Sequence, residues 1–132
     1  MWTYTYTEWL VAALVGFLIG GLWYGPLFGK AWQRESGLSD ERIASSNMAL
    51  IFGTTFLLNL IASALLGHMY AASGQPSVRA HFLIANGIGW GFVGTSIGVN
   101  YLFARKSLKL FFIDAGYWTL AYTAMGAVYA YL

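Results

Sequence analysis

The chain has 132 residues, of which 58% are hydrophobic, 18% aromatic and only 9% charged. Soluble domains carry about a quarter charged residues, so this composition excludes a water-soluble globule, and the high apolar content excludes a disordered chain. The seven basic and five acidic residues are too few for a nucleic-acid-binding face. The absence of cysteine excludes disulfide frameworks, thiolate zinc sites and thiol nucleophiles. The remaining class is a small integral membrane protein, with the lipid bilayer as its surroundings.

Four long apolar segments predict an all-α fold, in which a four-helix transmembrane bundle forms a single domain over residues 1–132. The segments cover residues 8–28, 47–72, 79–104 and 108–132. Each has the ~20 residues that a helix needs to cross a ~30 Å hydrocarbon layer. Strands are disfavoured because these runs are unbroken, whereas the strands of a membrane barrel alternate between apolar and polar residues.

The residues before the first span indicate a retained helix rather than a cleaved signal peptide. No lysine or arginine precedes the span, whereas a signal peptide begins with positive charge. Thr5 and Glu8 have the spacing of a capping box, in which a hydroxyl is followed three positions later by a carboxylate. We therefore expect the first apolar segment to remain part of the protein.

Two signals are expected to shape the loop after the first span. Pro26 lacks a backbone donor and should bend or end the helix. Ser39, followed by two acidic residues, has the pattern of a helix start. We expect a short surface helix that leads into the second span.

The basic residues of the short loops predict the orientation. Six lie in the loops after the first and third spans, whereas the opposite loop carries only Arg79. The six are Lys30, Arg34, Arg42, Arg105, Lys106 and Lys109. Because cytoplasmic loops hold the lysine and arginine excess, we expect both termini outside the cytoplasm, in the bacterial cytoplasmic (inner) membrane.

Aromatic residues at the ends of the spans support these boundaries. They are Trp2, Tyr4, Tyr6, Trp9, Trp23, Tyr24, Trp32, Tyr129 and Tyr131. Rings with one polar atom settle at the depth of the lipid headgroups, so we expect most of them to be interfacial anchors.

An internal repeat is one interpretation of the first and third spans. When the third span is moved onto the first by 75 positions, Gly16-Phe17 falls on Gly91-Phe92 and Leu27-Phe28 on Leu102-Phe103. Such a match could come from two parallel-related hairpins, whose rotation axis lies along the membrane normal. Two glycine-rich apolar helices that each end in a basic loop would also look alike by composition alone.

Glycines predict two helix-packing surfaces. In the third span they are spaced four, three and four residues apart, which places them on one stripe of an α-helix. The predicted packing residues are Gly16 and Gly20 in the first span and Gly87, Gly91, Gly94 and Gly98 in the third. Small residues let membrane helices approach closely, within one chain or between chains, so a homo-oligomer is one outcome.

Polar residues inside the spans are the best functional candidates, because polar groups in lipid are costly and face protein or water. They are Asn59, Asn86, Asn100 and Asp114. Reflection about the loop at 104–109 puts Asn100 and Asp114 at matching depth on facing helices. Asp114 could accept a hydrogen bond from Asn100, reach a basic loop residue or stay protonated. This pair is either a proton- or cation-responsive site or a hydrogen bond that joins two helices.

His68 and His81 fall at similar shallow depth on either side of the loop at 73–78. Two imidazoles could bind a metal or a pigment, or titrate with pH. No further ligand has metal-binding spacing, so ordinary interfacial histidines are the preferred interpretation. The sequence contains no nucleophile elbow, phosphate-binding glycine loop or acidic dyad, and we expect neither catalysis nor a cofactor.

Two stretches of the sequence resemble a known family. The first is Trp23-Tyr24-Gly25-Pro26-Leu27-Phe28-Gly29-Lys30-Ala31-Trp32 with Ser36-Gly37-Leu38, and the second is Asn100-Tyr101-Leu102-Phe103 with Leu108-Lys109-Leu110-Phe111, Ala115-Gly116-Tyr117 and Met125-Gly126. They resemble the opening and closing stretches of small four-span bacterial membrane proteins, the family catalogued as domain of unknown function 1761. The resemblance implies a four-helix integral membrane protein without an established activity. That family often has asparagine in place of Asp114 and histidine in place of Trp118, so the resemblance gives Asp114 no shared role.

Three functions are compatible with these residues. The narrowly preferred one is a small transport or channel protein that works as an oligomer, because four helices seldom enclose a path alone. The second is an accessory or scaffolding subunit of a larger membrane complex, and the third is an intramembrane enzyme or cofactor binder at His68 and His81. Asparagines that converge on a wet cavity would favour transport. Dry, individually paired asparagines would favour the scaffold.

Overall fold

A computed structural model describes residues 6–74 and 76–132, and within these ranges the chain is all-α, without strands. The helices are α1 (Tyr6–Leu22), α2 (Gly29–Ser36), α3 (Asp40–Ala44), α4 (Met48–Ala72), α5 (Val78–Asn86), α6 (Thr95–Phe103) and α7 (Leu108–Tyr131). Two π-helical segments accompany them. The first π segment (Trp23–Leu27) continues α1, and the second π segment (Gly87–Gly94) joins α5 to α6. Thr5, which the sequence places in a capping box, lies outside the described residues.

Three helical stretches are long and apolar enough to cross a membrane. They are Tyr6–Leu27, Met48–Ala72 and Val78–Phe103, and they correspond to the first three predicted spans. The fourth predicted span corresponds to α7, which has 24 residues but is less apolar, because it carries Asp114 and several tyrosines and threonines. α7 can be less apolar because much of its surface packs against the other helices. The protein thus has three apolar helices that are compatible with a membrane, and the bundle of four spans stays a prediction from the sequence.

The helix starts have local causes that the sequence carries. The side-chain oxygens of Ser39, Asn47, Ser77 and Ser107 each accept a hydrogen bond from the backbone N–H three residues later, at the starts of α3, α4, α5 and α7. Such side chains satisfy amides that have no partner within the helix. The helix start predicted at Ser39 is therefore confirmed, and it begins the second of two short helices in this loop.

The first π segment forms around Pro26. The regular α-helix ends at Leu22, and the Phe28 N–H donates to the Trp23 carbonyl, five residues back, at 2.8 Å. Because proline lacks the N–H and its ring crowds the carbonyl four residues earlier, the backbone takes the wider i→i+5 pattern here. The predicted disturbance at Pro26 is confirmed.

α1 and α7 form the centre of the fold. α7 contacts α1 along with α5, the second π segment and α6, whereas α4 packs mainly along α1. The buried cluster of Ala12, Leu66, Tyr70, Met125 and Tyr129 joins α1, α4 and α7 near the end of the fold where α4 ends and α5 begins. We call the opposite end, where α1 and α6 end and α4 and α7 begin, the basic end. There residues 47–54 of α4 are exposed.

The second π segment changes which glycines pack. A Cβ at Gly89 would lie 2.6 Å from Thr119 Cα, whereas Cβ atoms at Gly87 and Gly91 would meet nothing within 4 Å. Because the hydrogen bonds of a π segment span five residues rather than four, it has more residues per turn than an α-helix. The face that meets α7 accordingly passes through Gly89 and Gly94. The packing face therefore differs from the predicted stripe, and Gly87 and Gly91 are not part of it.

The other predicted glycines do lie against neighbouring side chains. A Cβ at Gly16 would be 2.5 Å from Met125 Cε, one at Gly20 would be 3.2 Å from the Tyr117 hydroxyl, and one at Gly98 would be 3.1 Å from Phe111 Cε1. A Cβ at Gly94 would make only ordinary contact with Ala115. Close approaches that the sequence analysis did not single out occur at Gly67, Gly116 and Gly126.

The two hairpins differ in backbone geometry where the proposed repeat would align them. Moved by 75 positions, the second π segment falls on residues 12–19 and the first on residues 98–102, all of which are α-helical. The repeat stays a prediction from the sequence.

Candidate functional site

Asp114 lies six residues after the start of α7, about 9 Å along the helix at ~1.5 Å per residue. It is only 8% exposed. A buried carboxylate needs hydrogen-bond donors or a positive charge to offset the loss of water. The surroundings of Asp114 therefore define the candidate site.

Both carboxylate oxygens of Asp114 accept hydrogen bonds from tyrosines of other helices. The Tyr24 hydroxyl, in the first π segment, donates to Oδ1 at 2.5 Å. The Tyr101 hydroxyl, in α6, donates to Oδ2 through a short hydrogen bond. Within the described residues no cationic side chain forms an ion pair with Asp114. The site is thus one acid and two phenols, contributed by three separate helical segments.

The first π segment holds Tyr24 in position through the residue before it. The Trp23 indole Nε1 donates to the Ile113 carbonyl at 2.9 Å. The indole ring also lies against Gly116, where a Cβ would be 3.0 Å from Trp23 Cζ2. Trp23 and Tyr24, which the sequence predicts to be interfacial anchors, are therefore half-buried hydrogen-bond donors to α7.

Further polar groups continue from the site towards the middle of the fold. The Tyr24 ring packs edge-on against Tyr117, with ring centroids 5.3 Å apart, and the Tyr117 hydroxyl donates to the Gly16 carbonyl at 2.9 Å. Asn59 of α4 lies against the same glycine and is 1% exposed. Its Nδ2 donates to the Thr55 carbonyl at 3.0 Å, whereas its Oδ1 has no hydrogen-bond partner among the described residues.

On its other side the site approaches the surface at the basic end. A groove of about 250 Å³ opens between α6 and α7 and is lined by Tyr101 and by Lys106 and Ser107 of the following loop. Tyr101 thus borders the groove while its hydroxyl holds Asp114. Beside the groove, the Ser107 hydroxyl donates to Glu35 Oε1 at 2.6 Å, which ties α2 to the start of α7.

The predicted partner of Asp114 lies elsewhere. Asn100 is exposed, and the residue after it, Tyr101, contacts Asp114 instead. Reflection about the loop gives the depth of a residue but not the helix face on which it lies, and successive residues point in different directions. Asn100 is therefore neither a buried residue nor part of the site.

The remaining asparagines do not converge. Asn86 is half-buried, and its Nδ2 donates to Thr123 Oγ1 of α7 at 3.3 Å. Asn59 faces α1 instead. The four predicted polar residues thus occupy different surroundings, and Asp114 is the one that joins several helices.

The two histidines have different environments. His81 is buried, and its Nδ1 lies 2.9 Å from the Ser77 carbonyl. Its ring packs at a tilt against Tyr70, with ring centroids 4.1 Å apart. His68 is exposed on α4. Over residues 6–74 and 76–132, no group of three or more His, Cys, Asp or Glu side chains could hold a metal ion.

The sequence analysis missed the hydroxyl groups that hold the helices together. Besides Tyr24, Tyr101 and Tyr117, the Ser63 hydroxyl donates to the Trp9 carbonyl at 2.8 Å, and the Tyr129 hydroxyl donates to the Ser63 carbonyl at 2.7 Å. One signal was available, since Asp114, Tyr117 and Tyr129 lie on one face of an α-helix. For Tyr24 the signal is absent, because the π segment sets its direction.

Comparison with known proteins gives one match. The family described as "Protein of unknown function (DUF1761)" matches residues 7–130. No curated protein and no solved structure matches the chain. The matched range includes all three segments that meet at Asp114. Because the match covers nearly the whole sequence, the chain belongs to the DUF1761 family of proteins of unknown function.

Proposed function

We propose that the chain crosses the bacterial inner membrane four times, with both termini outside the cytoplasm and α7 as the fourth span. Three apolar helices support this arrangement, and α7 matches them in length. The arrangement puts six of the seven basic residues at one end of the fold, and such an excess marks the cytoplasmic side. A tag fused after Leu132 should therefore be reachable only from outside the cell, and a cytosolic tag would contradict the orientation.

Within that membrane the protein transports protons or a small cation, and Asp114 is the group that takes up the ion. The observation that carries this proposal is the carboxylate of Asp114, which is buried and held by the hydroxyls of Tyr24 and Tyr101. Ionisable residues inside membrane segments are rare and costly, and they mark ion pathways and proton relays.

Tyr101 connects Asp114 to the cytoplasmic surface. A proton that arrives at the basic end can bind the Tyr101 oxygen while the hydroxyl passes its own proton to Oδ2 of Asp114, so that the tyrosine returns to its neutral form. Tyr24, Tyr117 and Asn59 extend the polar groups towards the middle of the membrane. A homo-oligomer would complete the path, because residues 47–54 of α4 are exposed and leave room for a second copy.

Ion flux into liposomes tests the proposal. Purified protein is reconstituted into liposomes that enclose a pH-sensitive dye, and a membrane potential drives protons inward. A parallel experiment with a sodium-sensitive dye measures cation flux. We expect flux above that of protein-free liposomes, at least a tenfold loss in Asp114→Asn, and a slower rate in Tyr101→Phe. Tyr131→Phe is the matched control, because Tyr131 is exposed near the chain terminus. No flux above background, or equal flux in Asp114→Asn, would overturn the proposal.

An accessory or scaffolding subunit is the second candidate. The core hydroxyls favour it, and so do the asparagines, because they do not converge on one cavity. The hydroxyls of Ser63, Tyr70 and Tyr117 each donate to a backbone carbonyl of a neighbouring helix, which is what a rigid packing unit requires. Native mass measurement after purification in mild detergent separates the two candidates. Several copies of this chain alone would support transport, whereas a different protein in fixed stoichiometry would support the scaffold.

A further inference from the structure

The groove beside Tyr101 is one part of a longer trough on the surface between α6 and α7. A second groove, of about 340 Å³, lies further along the same two helices and the second π segment. Phe111 lines both grooves. Together they run from Lys106 at the basic end to Trp90 and Thr119 near the middle of the fold.

The trough has the lining that a hydrocarbon chain requires. Its floor includes the small residues Gly94, Ala115 and Gly116, and the exposed Trp90 and Phe112 border it. The two volumes are too small for a helix ~10 Å across. A single flexible apolar chain fits where a protein helix does not.

Positive charge surrounds the mouth of the trough. Lys106 lines the groove, and Arg105 and Lys109, which are near it in the sequence, are exposed as well. The nearby carboxylate of Glu35 already accepts the Ser107 hydroxyl, and its other oxygen lies 4.0 Å from Arg34 Nε. The mouth therefore offers a cluster of cations beside an apolar channel, which is the charge and shape complement of an anionic lipid.

The backbone and the side chain of Arg105 both fix where its guanidinium lies. Arg105 has φ +61°, in the left-handed region, and the chain closes α6 with hydrogen bonds from Arg105 N to Leu102 O and from Lys106 N to Tyr101 O. This is a Schellman ending, in which the left-handed position is usually glycine. The Arg105 Nη1 donates to the Phe103 carbonyl at 2.8 Å, which holds the exposed guanidinium at the end of α6.

We propose that the trough binds an anionic phospholipid, whose acyl chain lies between α6 and α7 and whose phosphate meets Arg105 and Lys106. The orientation proposed above places this lipid in the cytoplasmic leaflet. Basic pockets between membrane helices on that side are suited to anionic headgroups. Binding of this lipid does not require the protein to transport ions.

Lipid titration of the purified protein in detergent, read by native mass spectrometry, tests the proposal. Phosphatidylglycerol and phosphatidylcholine with identical acyl chains are compared, and we expect tighter binding of phosphatidylglycerol. Lys106→Gln and Arg105→Gly should each weaken phosphatidylglycerol binding about fivefold, since each basic residue near a lipid surface contributes on that scale. Arg42→Gln, which removes a cation outside the trough, should leave binding unchanged.

Two further variants separate the lipid site from its alternatives. Thr95→Trp places a bulky ring in the trough from an exposed lining position and should weaken binding of both lipids. Ser96→Trp, at an exposed position of α6 outside the trough lining, is its matched control. Arg105→Gly should also keep or raise the melting temperature, because glycine adopts a positive φ without steric strain. Unaltered lipid binding in Thr95→Trp would overturn the proposal, and so would equal affinity for the two lipids. Displacement of bound phosphatidylglycerol by free glycerol phosphate as readily as by phosphatidylglycerol itself would also overturn it.

The outcome is independent of the transport proposal. Protein that prefers phosphatidylglycerol but moves no ions would overturn the proposed function and support the lipid site. Ion flux without a lipid preference would do the reverse.

Discussion

The Tyr24 hydroxyl donates to Asp114 Oδ1 at 2.5 Å, although the two residues are 90 positions apart in the sequence. Together with Trp23, which binds the Ile113 carbonyl, this contact fixes the end of the first apolar helix to α7. The candidate site is therefore also a junction of the fold, and variants must separate the charge of Asp114 from its hydrogen bonds.

Asp114→Leu should destabilise the protein much more than Asp114→Asn. The leucine would leave two half-buried phenol hydroxyls without their acceptor, and ~1–3 kcal/mol is the cost of such a group when it is fully buried. The asparagine keeps an oxygen for one tyrosine and an amide for the other. Thermal unfolding in detergent measures both, and equal melting temperatures for the two variants would contradict the hydrogen-bond arrangement.

Tyr24→Phe and Asp114→Asn should have non-additive effects on stability. Groups in direct contact show interaction energies of ~0.5–3 kcal/mol in double-mutant cycles. The same cycle with Tyr131→Phe should give no interaction, because Tyr131 is exposed near the chain terminus. Additive effects for Tyr24 would mean that its hydroxyl does not bind Asp114.

Gly89→Ala should be strongly destabilising, whereas Gly87→Ala and Gly91→Ala should be neutral or stabilising. A Cβ at Gly89 would lie 2.6 Å from the backbone of α7 at Thr119, so α7 would have to move. The other two positions are open, and alanine favours a helix over glycine by up to ~1 kcal/mol. Melting temperatures in detergent check this order, and the reverse order would contradict the position of the second π segment.

Ser63→Ala should lower stability by about 0.6 kcal/mol, up to ~1.7, the range for hydrogen bonds between membrane helices. Its hydroxyl joins α4 to the Trp9 carbonyl of α1 and also lies 3.1 Å from the Tyr129 hydroxyl. Ser73→Ala is the matched control, because the exposed Ser73 hydroxyl donates to the Met69 carbonyl of the preceding helix, α4. Equal losses in unfolding free energy would show that the bond to α1 adds nothing.

The helices and several of their ends could be predicted from local sequence. Unbroken apolar runs gave the lengths of the first three spans, and Ser39 and Pro26 marked a start and a disturbance, because capping and the missing proline N–H act within a few residues. The position of Asp114 in α7 was predicted on the same basis. The partners of Asp114 were not predicted. Reflection about the loop matched it with Asn100 by depth, but it gives no information about direction around the helix.

The amino-acid sequence by itself determined the all-α fold class, the helical content and the distance of each polar residue from the ends of its helix, because these depend on composition and on distance along the chain. Only the tertiary structure decided which side chains meet. Apolar helices give little amphipathic signal about the face that packs. Each π segment, with hydrogen bonds across five residues, also changes the direction around the helix axis in which the side chains after it point. For that reason Gly89 packs where Gly87 and Gly91 were expected, and Tyr24 and Tyr101 hold Asp114 where Asn100 was expected.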